Sequence, residues 1–81
     1  MEFPIRTPNQ LGAVLRGQRK KKKLTQADAG TNVGLRQNAV STIEANPGRS
    51  SVGRLFKLLS ALDLELVVRD KGQRKDVGEG W

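Results

Sequence analysis

Two short helical segments separated by one glycine constrain this chain more than any other feature. Thr25-Gln26-Ala27-Asp28 is a capping box, in which a hydroxyl and a carboxylate three residues apart can each take a backbone N–H and start a helix. The segment that it opens, about Gln26 to Val33, ends at Gly34, a residue suited to the left-handed conformation that closes a helix. A second segment, about Gln37 to Glu44, puts Val40 and Ile43 on one face and Gln37, Asn38, Ser41 and Thr42 on the other before Asn46-Pro47-Gly48 stops it. Neither segment reaches the ~12–15 residues that an isolated helix needs, so both must be held by packing. Ala29, Gly30 and Val33 are small enough to allow close approach. Two such helices joined by a short turn containing glycine have the layout of a helix-turn-helix.

A longer helix is expected on each side. Thr7-Pro8-Asn9-Gln10 is a second capping box with proline at the first helical position, where its missing N–H costs nothing. Leu11, Val14, Leu15 and Gln18 follow at helical spacing, with Arg16, Arg19 and Lys20 on other faces. After the Pro-Gly break, Ser50 or Ser51 caps a fourth helix whose Val52, Leu55, Phe56, Leu59 and Leu62 form a core-facing stripe.

Charge and missing residue types narrow the function. Fifteen Lys and Arg against eight Asp and Glu give +7, which predicts an acidic partner, nucleic acid ahead of an anionic membrane. Seven of the basic residues lie in the first 23 positions, including the run Lys20 to Lys23. With no Cys and no His, the chain lacks a disulfide framework, a thiolate and the usual general base, so no catalytic residue, metal site or cofactor is expected. Asp28 and Glu44 read as a cap and a helix-end residue. The N-terminal Met-Glu-Phe-Pro-Ile-Arg has no signal-peptide pattern, and no run approaches a membrane span, which predicts a soluble cytoplasmic protein.

Leu64-Glu65-Leu66-Val67-Val68-Arg69 is rich in strand formers. Its only other pairing candidate in the chain is Phe3-Pro4-Ile5, where Pro4 lacks a donor and permits at most edge pairing. Pairing with the same strand of a second copy across a two-fold axis resolves this, with Leu64, Leu66 and Val68 as the dimerisation residues. With only 36% hydrophobic residues, two Phe and one Trp in 81 residues, such help for the core is expected. The predicted organisation is therefore an all-α domain of four helices with a C-terminal dimer strand over residues 1–69. Residues 70–81 have little to bury and are expected to form a disordered tail carrying Trp81.

Leu24-Thr25-Gln26, Gly34-Leu35, Val40-Ser41-Thr42-Ile43-Glu44 and Leu58-Leu59-Ser60-Ala61-Leu62 resemble the signature of the Cro/C1-type helix-turn-helix repressors over residues 8–62. Within that family, Phe3 and Ile5, Glu44-Ala45-Asn46-Pro47, Leu62-Asp63-Leu64-Glu65-Leu66 and Trp81 resemble the HipB-like antitoxins, which carry a strand where other members carry a fifth helix. The resemblance implies a homodimer, binding to inverted repeats in operator DNA upstream of its own operon, and capture of a HipA-like Ser/Thr kinase toxin. Two departures stand out. The family places Leu and Ala where this chain has Ala29 and Gly30, a loss of packing volume in which Gly alone costs about 1 kcal/mol. Arg36 occupies the position where Ser or Thr usually caps the second helix of the motif, and can instead reach phosphate or a guanine edge.

The helix-turn-helix layout assigns roles. Its second helix enters the major groove, where Gln37 and Asn38 can each read adenine through N6 and N7, with Arg36, Ser41 and Thr42 beside them. Gln26 faces DNA at the start of the first helix in this family. Lys20 and Lys21 are candidate sequence-independent phosphate contacts, and Trp81 a candidate anchor on the toxin. Two alternatives to the antitoxin are a stand-alone Cro/C1-type repressor and a basic RNA-binding or assembly protein. The second lacks an aromatic side chain on the reading face with which to stack bases.

Overall fold

The computed structural model describes residues 2–71. Four helices follow in order: α1 (Pro8–Lys21), α2 (Gln26–Thr31), α3 (Gln37–Ala45) and, after a 3₁₀ turn at Pro47–Arg49, α4 (Val52–Ala61). No strand occurs among the described residues. None of the helices is long and apolar enough to cross a membrane.

The caps sit where the local chemistry requires them. Thr7 Oγ1 accepts the Gln10 N–H at 3.1 Å, while the Gln10 side chain reaches back one residue further than expected, to the Arg6 N–H. Thr25 and Asp28 form the reciprocal box, at 3.0 and 3.1 Å. The Thr25 backbone N–H and hydroxyl hold the Asp28 carboxyl below its usual range. Ser51, rather than Ser50, caps α4 by accepting the Arg54 N–H. No side chain caps α3, because Arg36 cannot accept a hydrogen bond.

The turn of the motif closes in two steps. Val33 N–H donates to the Gly30 carbonyl, tightening the end of α2 to Thr31 instead of Val33; then Gly34, at φ +75°, lets the Leu35 N–H return to that same carbonyl at 2.9 Å. Gly30 is part of this closure. A Cβ there would fall on the Leu35 carbonyl oxygen, so the glycine marks a close backbone approach and not a packing deficit as its departure from the family suggested.

Leu15, Val40, Ile43, Leu58 and Leu62 are fully buried and, with Ala29, Leu35 and Leu59, form the core shared by all four helices. Each of these large side chains contributes about 1.5–3 kcal/mol by leaving water. The stripe expected on α4 divides. Leu55, Leu58, Leu59 and Leu62 turn inward, but Val52 and Phe56 stay 68% and 50% exposed, because α4 packs on α2 and α3 and no element among the described residues covers its other side.

Gly12 sets the closest approach of α1 to α3. A Cβ at Gly12 would fall on the Glu44 carbonyl oxygen and lie 3.4 Å from the Pro47 ring. Gly12→Ala is therefore expected to destabilise the fold by about 1–3 kcal/mol. Gly17→Ala, with nothing within 4 Å, should instead stabilise α1 by about 0.4–1 kcal/mol. Urea midpoints of the two variants with opposite signs check this.

After α4 the chain turns through Asp63 in the left-handed conformation and the Leu64 N–H returns to the Leu59 carbonyl at 2.9 Å. Leu64 packs against the core, whereas Leu66 and Val68 are exposed, and residues 64–70 adopt no regular structure within the single chain. The Arg69 guanidinium meets Glu2 at 2.7 Å, which brings this segment beside the N-terminal one. The expected tail lies, from residue 72 to Trp81, outside the described residues.

Candidate nucleic-acid interface

The outward face of α3 begins with Arg36, Gln37 and Asn38, all exposed, and continues one turn later with half-buried Ser41 and exposed Thr42. Val40 and Ile43 hold the opposite face in the core, so Asn38, Ser41 and Thr42 turn outward, while Gln37, one turn before Val40, stands at the edge between the two faces. Arg36, Asn38 and Thr42 line one wall of an open polar groove, and Arg49, Arg54 and Lys57 line the other. Four cations around amide and hydroxyl groups form a surface suited to a polyanion whose edges present hydrogen-bonding groups. Arg49, Arg54 and Lys57 had no place in the sequence-based assignment. Their signal was the spacing of Arg54 and Lys57 at i, i+3 on α4, which puts two cations on one stretch of that helix.

Lys20 and Lys21 are exposed at the end of α1, and Lys21 borders a different, apolar hollow with Phe3, Ala13, Val14 and Gly17. The neighbouring Lys22 pairs with Asp63 at 2.8 Å. Lys22 thus ties the end of α1 to Asp63 just beyond α4, and none of Lys20 to Lys23 lines the groove, which runs from Gly34 through α3 and Arg49 to α4.

Beneath the outward face of α3 lies a network that the sequence reading missed. Glu44, taken for a helix-end residue, has a fully buried side chain. Arg19, assigned to an outer face of α1, is buried beside it, donating to its two oxygens from Nε at 2.6 Å and Nη2 at 3.1 Å. Arg19 Nη1 also donates to the Leu24 carbonyl, and Arg16 Nε lies 3.7 Å from the Glu44 carboxylate. Gln26, half-buried, donates from Nε2 to Glu44 Oε1 at 3.2 Å and accepts from Gln37 Nε2 at 3.4 Å. Among the described residues every buried side-chain nitrogen and oxygen has a partner.

A sequence profile described as helix-turn-helix matches residues 15–68, spanning α2, the turn and α3 together with most of their supports. The chain belongs to the helix-turn-helix family. Within this helix-turn-helix family it is HipB-like. It is 30% identical over 66 residues to the antitoxin HipB of Escherichia coli O6:H1 strain CFT073, covering 82% of this chain and 70% of that protein. The antitoxin HipB of Escherichia coli K12 is 29% identical over 66 residues, covering 82% and 75%. Among solved structures, a HipB variant in complex with an O2 20-mer superimposes with a TM-score of 0.83 at 28% identity, covering 88% of this chain and 99% of that one. A HipA–HipB–O2–O3 complex gives 0.82 at 27% identity, covering 86% and 99%.

Proposed function

We propose that this protein is a DNA-binding antitoxin and autorepressor: a homodimer that reads operator inverted repeats and sequesters a HipA-like Ser/Thr kinase toxin. The observation that carries the reading is the first turn of α3, where amides project from a rigid helix beside a groove lined by four cations. The likeness to HipB bound to O2 DNA, and to HipB with HipA and DNA, supports it.

Gln37 and Asn38 read adenine edges in the major groove, Arg36 meets guanine or phosphate, and Ser41 and Thr42 contact bases one turn deeper. Gln26 meets the backbone at the start of α2. Arg49, Arg54 and Lys57, with Lys20 and Lys21 as further candidates, neutralise phosphates. Leu64, Leu66 and Val68 belong to the dimer strand, and Trp81 anchors the toxin.

Gln37→Ala is expected to lower affinity for the cognate operator by about 1–3 kcal/mol and affinity for random DNA far less. Arg54→Gln should instead weaken all sequences alike and make the slope of log K against log salt shallower by about 1 for each phosphate that is no longer neutralised. Fluorescence anisotropy across a salt series measures both. Equal losses on both DNAs for Gln37→Ala would remove it from base reading.

Toxin capture is tested by copurification of the tagged protein from its native host, where a kinase and an operator fragment are both expected. Recovery of operator alone favours a stand-alone repressor. Trp81→Ala should leave operator affinity unchanged and weaken kinase binding in calorimetry by about 1–3 kcal/mol, as loss of a large interface anchor does. Equal kinase affinity would assign capture to another part of the chain.

A further inference from the structure

Gln37 and Glu44 lie two turns apart on the same face of α3, and Gln26 reaches from α2 to both. A carboxylate has no hydrogen to donate, so the Gln26 atom that faces Glu44 Oε1 must be the amide nitrogen. Its carbonyl oxygen then points the other way, toward Gln37. Two oxygens cannot share a hydrogen bond, so Gln37 in turn offers Nε2, and the observed contact runs in that direction at 3.4 Å. What Gln37, which stands beside the groove and not in its lining, has left to offer a base is one acceptor, Oε1, and its second N–H.

The inner end of this chain is the rigid one. Both Glu44 oxygens are held by Arg19, which is itself tied to the Leu24 carbonyl, and the Glu44 side chain is wholly out of water. Polarity is therefore set in the core and passed outward through two amides.

We infer that the buried Arg19–Glu44 pair acts through Gln26 to fix the direction of the Gln37 amide, and so determines a preference for adenine over guanine at the base pair that Gln37 meets. An amide presenting one acceptor and one donor matches adenine N6–H and N7, whereas guanine N7 and O6 call for two donors. A glutamine that can turn over serves either base. Glu44 and Arg19 are positioning residues, since neither reaches the groove. The inference rests on the DNA-reading function proposed above.

Selection from randomised operators, followed by sequencing, tests it with the parent protein, Gln37→Ala, Glu44→Gln and Gln26→Met. The position at which Gln37→Ala loses its preference marks the base pair in question, and the parent protein is expected to enrich adenine over guanine there. In Glu44→Gln one of the two acceptor oxygens becomes a donor NH2, so the inner end no longer dictates which way the Gln26 and Gln37 amides point. The adenine-to-guanine ratio should then fall by about tenfold or more. A purely structural role would weaken every sequence alike and leave the ratio unchanged.

Gln26→Met keeps the buried ion pair, so it remains informative if Glu44→Gln does not fold, and it breaks the link. Its ratio should fall as well. A ratio within about twofold of the parent's in Gln26→Met, when a bidentate contact discriminates by far more, overturns the inference, as does a parent protein that prefers guanine. A parent that enriches no sequence overturns the DNA-reading function instead.

Discussion

Arg19→Met is expected to cost about 3–5 kcal/mol of folding stability, because it leaves a buried carboxylate without its partner. The Glu44 side chain has no access to water, and without Arg19 it keeps only the Gln26 amide at 3.2 Å and the more distant Arg16 at 3.7 Å. A chain of this size has a total stability of about 4–12 kcal/mol, so the loss is a large share of it. Met preserves most of the apolar stem that Arg19 packs along α1, so the change isolates the charge. Removing both charges, as in Arg19→Met with Glu44→Leu, should recover most of the loss, since an apolar pair of similar volume replaces a buried ion pair at little net cost. Guanidinium chloride midpoints decide between two accounts. If the double variant is no more stable than Arg19→Met, the loss comes from packing of the guanidinium and not from an orphaned carboxylate.

The same pair shows where the sequence was legible and where it was not. Capping boxes are local chemistry, and Thr25/Asp28 and Gly34 located α2 and its end to within two residues. The polar first turn of α3 followed from Val40 and Ile43, which set Asn38 opposite the core and Gln37 at its edge. Arg19 and Glu44 went unrecognised because a charged side chain at helical spacing from the apolar ones counts by default as solvent-facing. Arg19 stands four residues after Leu15 and Glu44 four after Val40, so each occupies a core position of its helix. An acid and a base at core positions of two neighbouring helices are the signal of a buried pair. Gly30 could not be read this way, since the Leu35 carbonyl that abuts it arrives only once the turn has closed. Phe56 failed for the opposite reason: it fits the apolar stripe, but hydrophobic spacing does not say whether the covering surface belongs to the same chain.

Leu66→Asp combined with Val68→Asp is expected to convert the proposed dimer to monomers and to lower affinity for a two-half-site operator by about 10²–10⁴-fold. Val52, Phe56, Leu66, Val67 and Val68 are all at least half exposed in the single chain, a large apolar area for so small a domain to leave in water. Burial against a second copy would remove that cost, and a two-fold axis would give Leu64 to Arg69 the strand partner that the described residues do not supply. Carboxylates at two exposed positions should leave the folded core intact, because neither Leu66 nor Val68 belongs to it. Buried in an apolar interface they would be unpaired charges, and association would fail. Once the dimer separates, the second half-site is no longer held at high effective concentration. Affinity for an isolated half-site should then stay within about threefold of the parent domain's while the operator affinity collapses toward it. Sedimentation equilibrium and anisotropy on the two DNAs measure both quantities. A variant that remains dimeric at micromolar concentration would place the interface on another face, with Val52 and Phe56 of α4 the next positions to charge.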